Sequence, residues 1–257
     1  MSFLKRVLAK VGIGSAEVDT VLHCDEFVPG QEATGVVYIQ GGKTEQHIGQ
    51  IYFFIKAQYV KESGDSTTTH HAVIDKLLLT DEFVLSPGER KEIPFQFILP
   101  ERTPISRCKS PVWMETCLDI DNAIDPKDED YLKVVTSWEM DVVLEALKLL
   151  GFRLRQVENE YAPALGDPLP FIQTFEFVPT SNYRSRLDEI EVAFIPRGDD
   201  LELVLQVDRK TRGLKGWFAD GLDLDETYVN MTLSGEELDE GAHAVAEHLQ
   251  EVISRYC

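Results

Sequence analysis

Residues 51–60, IYFFIKAQYV, constrain the chain more than any other stretch. Ile51, Phe53, Ile55, Ala57 and Tyr59 alternate there with Tyr52, Phe54, Lys56, Gln58 and Val60. A period of two puts the first set on one face of a strand and the second set on the other. An apolar face of that size needs a second layer to cover it, so the stretch predicts a β-sandwich. Glu17–Leu22 and Val36–Gln40 read as the strands before it. Pro29-Gly30 turns the chain between them and Gly41-Gly42 closes the second, so the three predict a consecutive meander.

More strands follow at 67–79, 83–85, 92–99 and 112–120. Ile93, Phe95, Phe97 and Leu99 share a face, and Pro94 marks an edge or a bulge because it cannot donate to a ladder. The acidic, proline-broken run Asp121–Asp130, DNAIDPKDED, predicts an interdomain linker, with the boundary near residue 128. Tyr131–Trp138 resumes as a strand. Val143, Ala146, Leu147 and Leu150 then recur at helical spacing, which predicts an inserted helix over 139–150 stopped by Gly151.

Strands over 152–160, 171–178, 189–195, 201–207 and 226–233 predict a second, smaller sandwich within 129–233. Ser234 and Glu237 form a capping box that opens a C-terminal amphipathic helix over 234–257. Its stripe of Leu238, Ala242, Val245, Leu249, Val252 and Tyr256 predicts docking on the chain itself, with a homodimer contact as the alternative. The predicted class is mainly β: two β-sandwich domains, 1–128 and 129–233, with short terminal helices and one inserted helix.

Charge narrows the partners. The net charge of −20, from 25 Lys+Arg against 45 Asp+Glu, argues against nucleic acid, whose phosphates need clustered cations. No apolar run is long enough to span a bilayer, and the N-terminus lacks the pattern of a secretion signal. Cys24, Cys108, Cys117 and Cys257 show no CxxC spacing, which suits free thiols in a reducing cytoplasm.

The search for chemistry yields no catalytic residue, no metal site and no cofactor motif. Asp119 and Asp121 match the first positions of a calcium loop, but Ala123, Ile124 and Asp130 break the pattern, which leaves a solvated acidic segment. His70 and His71 are adjacent in a strand and face opposite ways, and His243 and His248 lie on different faces of a helix. Binding features are clearer. Phe3, Leu4, Val7, Leu8 and Val11 form one face of a short helix whose other face carries Lys5, Arg6 and Lys10. That helix packs on the body or, alternatively, touches a membrane or a partner. Arg209, Lys210, Arg212 and Lys215, followed by Trp217 and Phe218, make a basic-aromatic loop suited to an anionic segment or headgroup. Sandwich edges offer a third route, by pairing with an extended peptide.

Four segments together resemble the sporulation-control family, the stage-zero M proteins of bacilli and other bacteria. They are SFLKRVLAKVGIGSAEVDT, FVPGQEATGVVYIQGG followed by HIGQIYFFI, ETCLDIDNAIDPKDEDYL, and LGFRLRQVENE. The resemblance spans nearly the whole chain. It implies an arrestin-like pair of β-sandwiches and a cytosolic regulator of sporulation onset without enzymatic activity, acting through other proteins. It brings no site residues with it.

Overall fold

The computed structural model describes residues 16–64, 66–107, 109–120, 126–209 and 228–256. The fold is mainly β, as predicted. In chain order the elements are β1 (Glu17–Leu22), β2 (Glu32–Gln40), β3 (Gln46–Ser63), β4 (Ser66–Thr80), β5 (Phe83–Leu85), β6 (Arg90–Ile98), β7 (Val112–Ile120) and β8 (Lys127–Leu132). There follow α1 (Trp138–Leu149), β9 (Phe152–Tyr161), α2 (Pro163–Gly166), β10 (Phe171–Pro179), β11 (Leu187–Arg197) and β12 (Asp200–Arg209). β13 (Tyr228–Leu233), α3 (Gly235–Asp239) and α4 (Ala242–Ser254) complete the described chain. They divide into two compact units. The first takes the chain to Ala57, then His71–Ser106 and Pro111–Val135; the second takes Gln58–His70, Arg107–Ser110 and everything from Thr136.

The first unit is a sandwich. One layer is the three-stranded antiparallel sheet β1-β2-β6. In the other layer β3 pairs with β7, β4 and β5, and β8 adds beyond β7. Ile48, Ile51, Phe53, Ile55 and Ala57 of β3 are buried, as are Val37 and Ile39 of β2 and Met114 and Leu118 of β7. The rings of Phe53 and Phe95 meet across the layers with centroids 4.5 Å apart. Phe95 reaches that position because Gly35, its partner on β2, has no side chain.

Here the predicted meander needs correction. β1 and β2 pair, but β3 does not pair with β2, whose second neighbour is β6. β2 and β3 each carry one apolar face, and the two faces bury each other only if the strands lie in opposite layers. Pro94 behaves as predicted, since β6 is the edge of its sheet. Residues 127–130, read as linker, belong to β8 and pair with β7 from Cys117–Lys127 to Val112–Leu132. The strand predicted over Tyr131–Trp138 ends at Leu132, and Ser137 caps α1 with its side chain at Met140 N–H.

In the second unit β13-β12-β11-β10-β9 follow one another antiparallel. The end of the β3–β4 hairpin lies beside β9, with Val60 paired to Glu160. Tyr59 stacks on Phe171 at 5.6 Å and on His70 at 5.4 Å, and Asn159 Nδ2 donates to Gln58 O at 2.8 Å. The C-terminal helix is two helices, because Gly241 at φ 89° breaks it and becomes the N-cap of α4. The predicted capping box at Ser234 and Glu237 opens α3. α4 packs on α1, and Val245, Leu249 and Ile253 are buried against the chain itself. The apolar stripe of the C-terminal helix is thus largely covered by the chain itself.

A Cβ at position 35 would lie 2.5 Å from Phe95 Cζ and 2.5 Å from Val21 O. Gly35→Ala should therefore destabilise the chain by about 1–3 kcal/mol, the usual cost of overpacking. Adding Phe95→Leu should recover part of that loss. Equilibrium denaturation of the single and double variants measures both.

Candidate functional site

Most residues singled out for contact lie outside the described residues: Phe3, Leu4, Lys5, Arg6, Val7 and Lys10 at the N-terminus, and Lys210, Arg212, Lys215, Trp217 and Phe218 after β12. Arg209 is the last residue of β12 and pairs in register with Leu187. Among the described residues no helix is long and apolar enough to cross a membrane.

The histidines separate as their positions predict. His70 stacks on Tyr59, while His71 meets the Trp113 ring edge-on at 4.9 Å. His248 Nδ1 lies 3.5 Å from Glu237 on α3. Cys24 and Cys117 are free thiols. Burial, reinforced by the hydrogen bond to Glu115, pushes the Cys117 thiol up to about 11. It stays protonated at neutral pH and is a poor nucleophile.

Residues 127–130 of β8 close one side of the first sandwich; Asp121, Ala123 and Ile124 lie outside the described residues. Among the described residues no three His, Cys, Asp or Glu side chains are placed to hold a metal ion. Asp128 and Asp130 alternate along β8 and meet β1. Asp128 Oδ2 accepts from Thr20 N–H at 2.6 Å, and the hydroxyls of Thr20 and Thr116 lie 2.7 Å apart, both buried. Burial, then the charges of Asp128 and Asp19 and a hydrogen bond with Asp128, push the Asp130 carboxyl up to about 7. Burial and then Asp128 also raise Asp19. Carboxyl groups this close do not all ionise together, so near neutrality Asp130 shares a proton with Asp128 along β8, facing Asp19 of β1.

The opposite side of that sandwich is open. A cleft of about 300 Å³ there is lined by Phe53 at its floor, Leu77, Leu78 and Leu79 of β4, and Pro94 to Phe97 of β6. Leu78 is 52% exposed and Ile98 58%. Leu99 N–H bonds to Gln31 O at the start of the β2–β6 ladder. Antiparallel ladders alternate, so positions 97, 95 and 93 also bond inward while 98, 96 and 94 turn their backbone groups away from β2. Pro94 has no N–H to offer, which fits an outward position. Among the described residues no strand pairs with this outward edge, so the cleft combines a Phe53 floor with a strand edge available for pairing. Sequence reasoning anticipated a usable edge but did not locate it. The available signal was Leu77-Leu78-Leu79, a run in which alternation must leave a leucine facing outward.

The proton on the acidic seam sets a pH dependence. Asp130 is raised above the ordinary aspartate value of about 3.9. Its contribution is therefore fully present below that value and is lost as pH rises through about 7. Asp130→Asn should be more stable than the parent at pH 8, with the advantage shrinking towards pH 4.5, as read by thermal unfolding. A variant destabilised equally at both pH values would contradict the shared proton.

Comparison with known proteins agrees with this architecture. The profile of the SpoOM protein family matches residues 4–211. The sporulation-control protein spo0M of Bacillus subtilis (strain 168) is 40% identical over 257 residues, covering 100% of this chain and 99% of that protein. The crystal structure of Spo0M from Bacillus subtilis superposes with a TM-score of 0.90 at 40% identity, covering 95% of this chain and 100% of that one. With the profile matching most of its length and that relative aligned end to end, the chain belongs to the SpoOM protein family.

Proposed function

We propose that the chain is a cytoplasmic, non-enzymatic regulatory adaptor that binds an extended segment of a partner protein along the free edge of β6. The observation that carries this reading is the cleft between Leu77–Leu79 and Pro94–Phe97, beside a strand edge that no other described strand pairs with. An added strand would take its main-chain hydrogen bonds from the backbone groups of Gln96 and Ile98. Its alternate side chains would enter the cleft over Phe53 and Phe95, giving affinity through the backbone and selectivity through the pocket. The name of the Bacillus relative, a sporulation-control protein, supports a regulatory role.

A photo-crosslinking amino acid placed at Leu78 in cells should yield a small, reproducible set of protein adducts. Gln96→Pro removes an outward N–H without touching the bonds to β2, and it should abolish those adducts. Adducts unchanged by Gln96→Pro, or none at all, would sink the proposal.

A further inference from the structure

One face of the sheet in the second unit is unusually acidic. Register places Glu158 opposite Thr174, Glu176 opposite Glu191, Glu191 opposite Gln206, and Glu189 opposite Asp208. Side chains at paired positions lie on the same side of a sheet, so these groups crowd one another across β9, β10, β11 and β12. Glu160 joins them through Thr174, whose hydroxyl lies 2.8 Å from Glu160 Oε1. A β-bulge at Arg155 turns that side chain onto the same face, where its guanidinium bonds to Glu176 and Glu189. The face already holds one organic cation from its own chain.

Glu191 and Gln206, paired across β11 and β12 on this face, each bury an acceptor. Gln206 is 7% exposed and its Oε1 accepts no hydrogen bond; Oε2 of Glu191, directly across the strand pair, is likewise buried and unbonded. A buried polar atom left unpaired is costly, and once Glu191 is ionised these two neighbouring acceptors call for a shared donor. A metal ion is disfavoured, since no three acidic, His or Cys side chains among the described residues are placed to ligate one. An N–H donor on a positive group fits both the acceptors and the surrounding charge.

We propose that this face is a docking site for an arginine or lysine side chain carried by a basic segment of a partner protein. Its guanidinium or ammonium donates to Glu191 Oε2 and Gln206 Oε1, much as Arg155 donates to Glu176 and Glu189. The site extends the adaptor reading to a second surface but does not rest on the cleft at β6.

The free protein meets the charge in another way. Burial, then Glu160 and Glu189, with Arg155 opposing and Asp208 adding, push the Glu191 carboxyl up to about 8. Burial likewise takes Glu160 up to about 7, against the bond from Thr174 and with the charges of Glu158 and Glu62 adding to it. A docked cation favours the ionised form, so the carboxyl loses its proton to solvent as the cation arrives. Binding then strengthens as pH rises through the range in which these groups titrate.

The test uses the full chain and a labelled hexa-arginine peptide, whose guanidinium groups stay charged throughout. Affinity should rise between pH 6.5 and 8.5, and the calorimetric heat at pH 7 should vary with buffer ionisation enthalpy in the sense of proton release. Glu191→Gln, which mimics the protonated carboxyl, should weaken binding about tenfold or more. Glu247→Gln, on the exposed side of α4, should stay within about twofold. Equal weakening by both variants, no loss with Glu191→Gln, or no proton release from the parent protein would each overturn the proposal. Gln96→Pro separates the two surfaces, because it should leave peptide binding here unchanged.

Discussion

The first unit depends on how the inner face of β3 is covered. Ile51, Phe53 and Ile55 are each 2% exposed or less, and each is worth about 1.5–3 kcal/mol on burial. That return requires β2 and β6 to lie opposite β3 rather than beside it. Gly35 makes the fit possible by letting the Phe95 ring descend onto Phe53. The crossing of the chain between layers after β2, the edge position of β6 and the cleft beside it are all consequences of satisfying that one face.

The two sides of the sandwich are finished differently. At β1, β7 and β8, the Thr20 N–H bond to Asp128 and the Thr20–Thr116 hydroxyl contact tie the layers together. At β4 and β6 no such polar seam is formed by the described residues, and leucine and phenylalanine side chains line an open cleft. The polar seam also limits slippage of β1, because Thr20 uses both its N–H and its hydroxyl there.

Alternation made the strands legible. Val112–Ile120 was bounded to the residue, and the capping box at Ser234 needed only local spacing. β8 was hidden because KDEDYL offers only Leu132 as a buried apolar residue, and its strand character comes from pairing with β7. The split between α3 and α4 was foreshadowed by Gly241, although helical periodicity alone ran straight through it. Neither the cleft nor the acidic face could be read directly: the cleft depends on how β4 and β6 of different sheets are placed, and the acidic face on the register of β9 to β12. Glu158 with Glu160 and Glu189 with Glu191 did carry a signal: acids two apart within one strand share a face.

The most direct measurement is residue-resolved amide hydrogen exchange of the chain, alone and bound to a partner segment recovered by crosslinking at Leu78. Strand addition at β6 predicts new protection of the Gln96 and Ile98 N–H groups, with little change in β2, whose bonds to β6 exist already. Partner binding that leaves those two amides exchanging as fast as in the free protein would contradict the account.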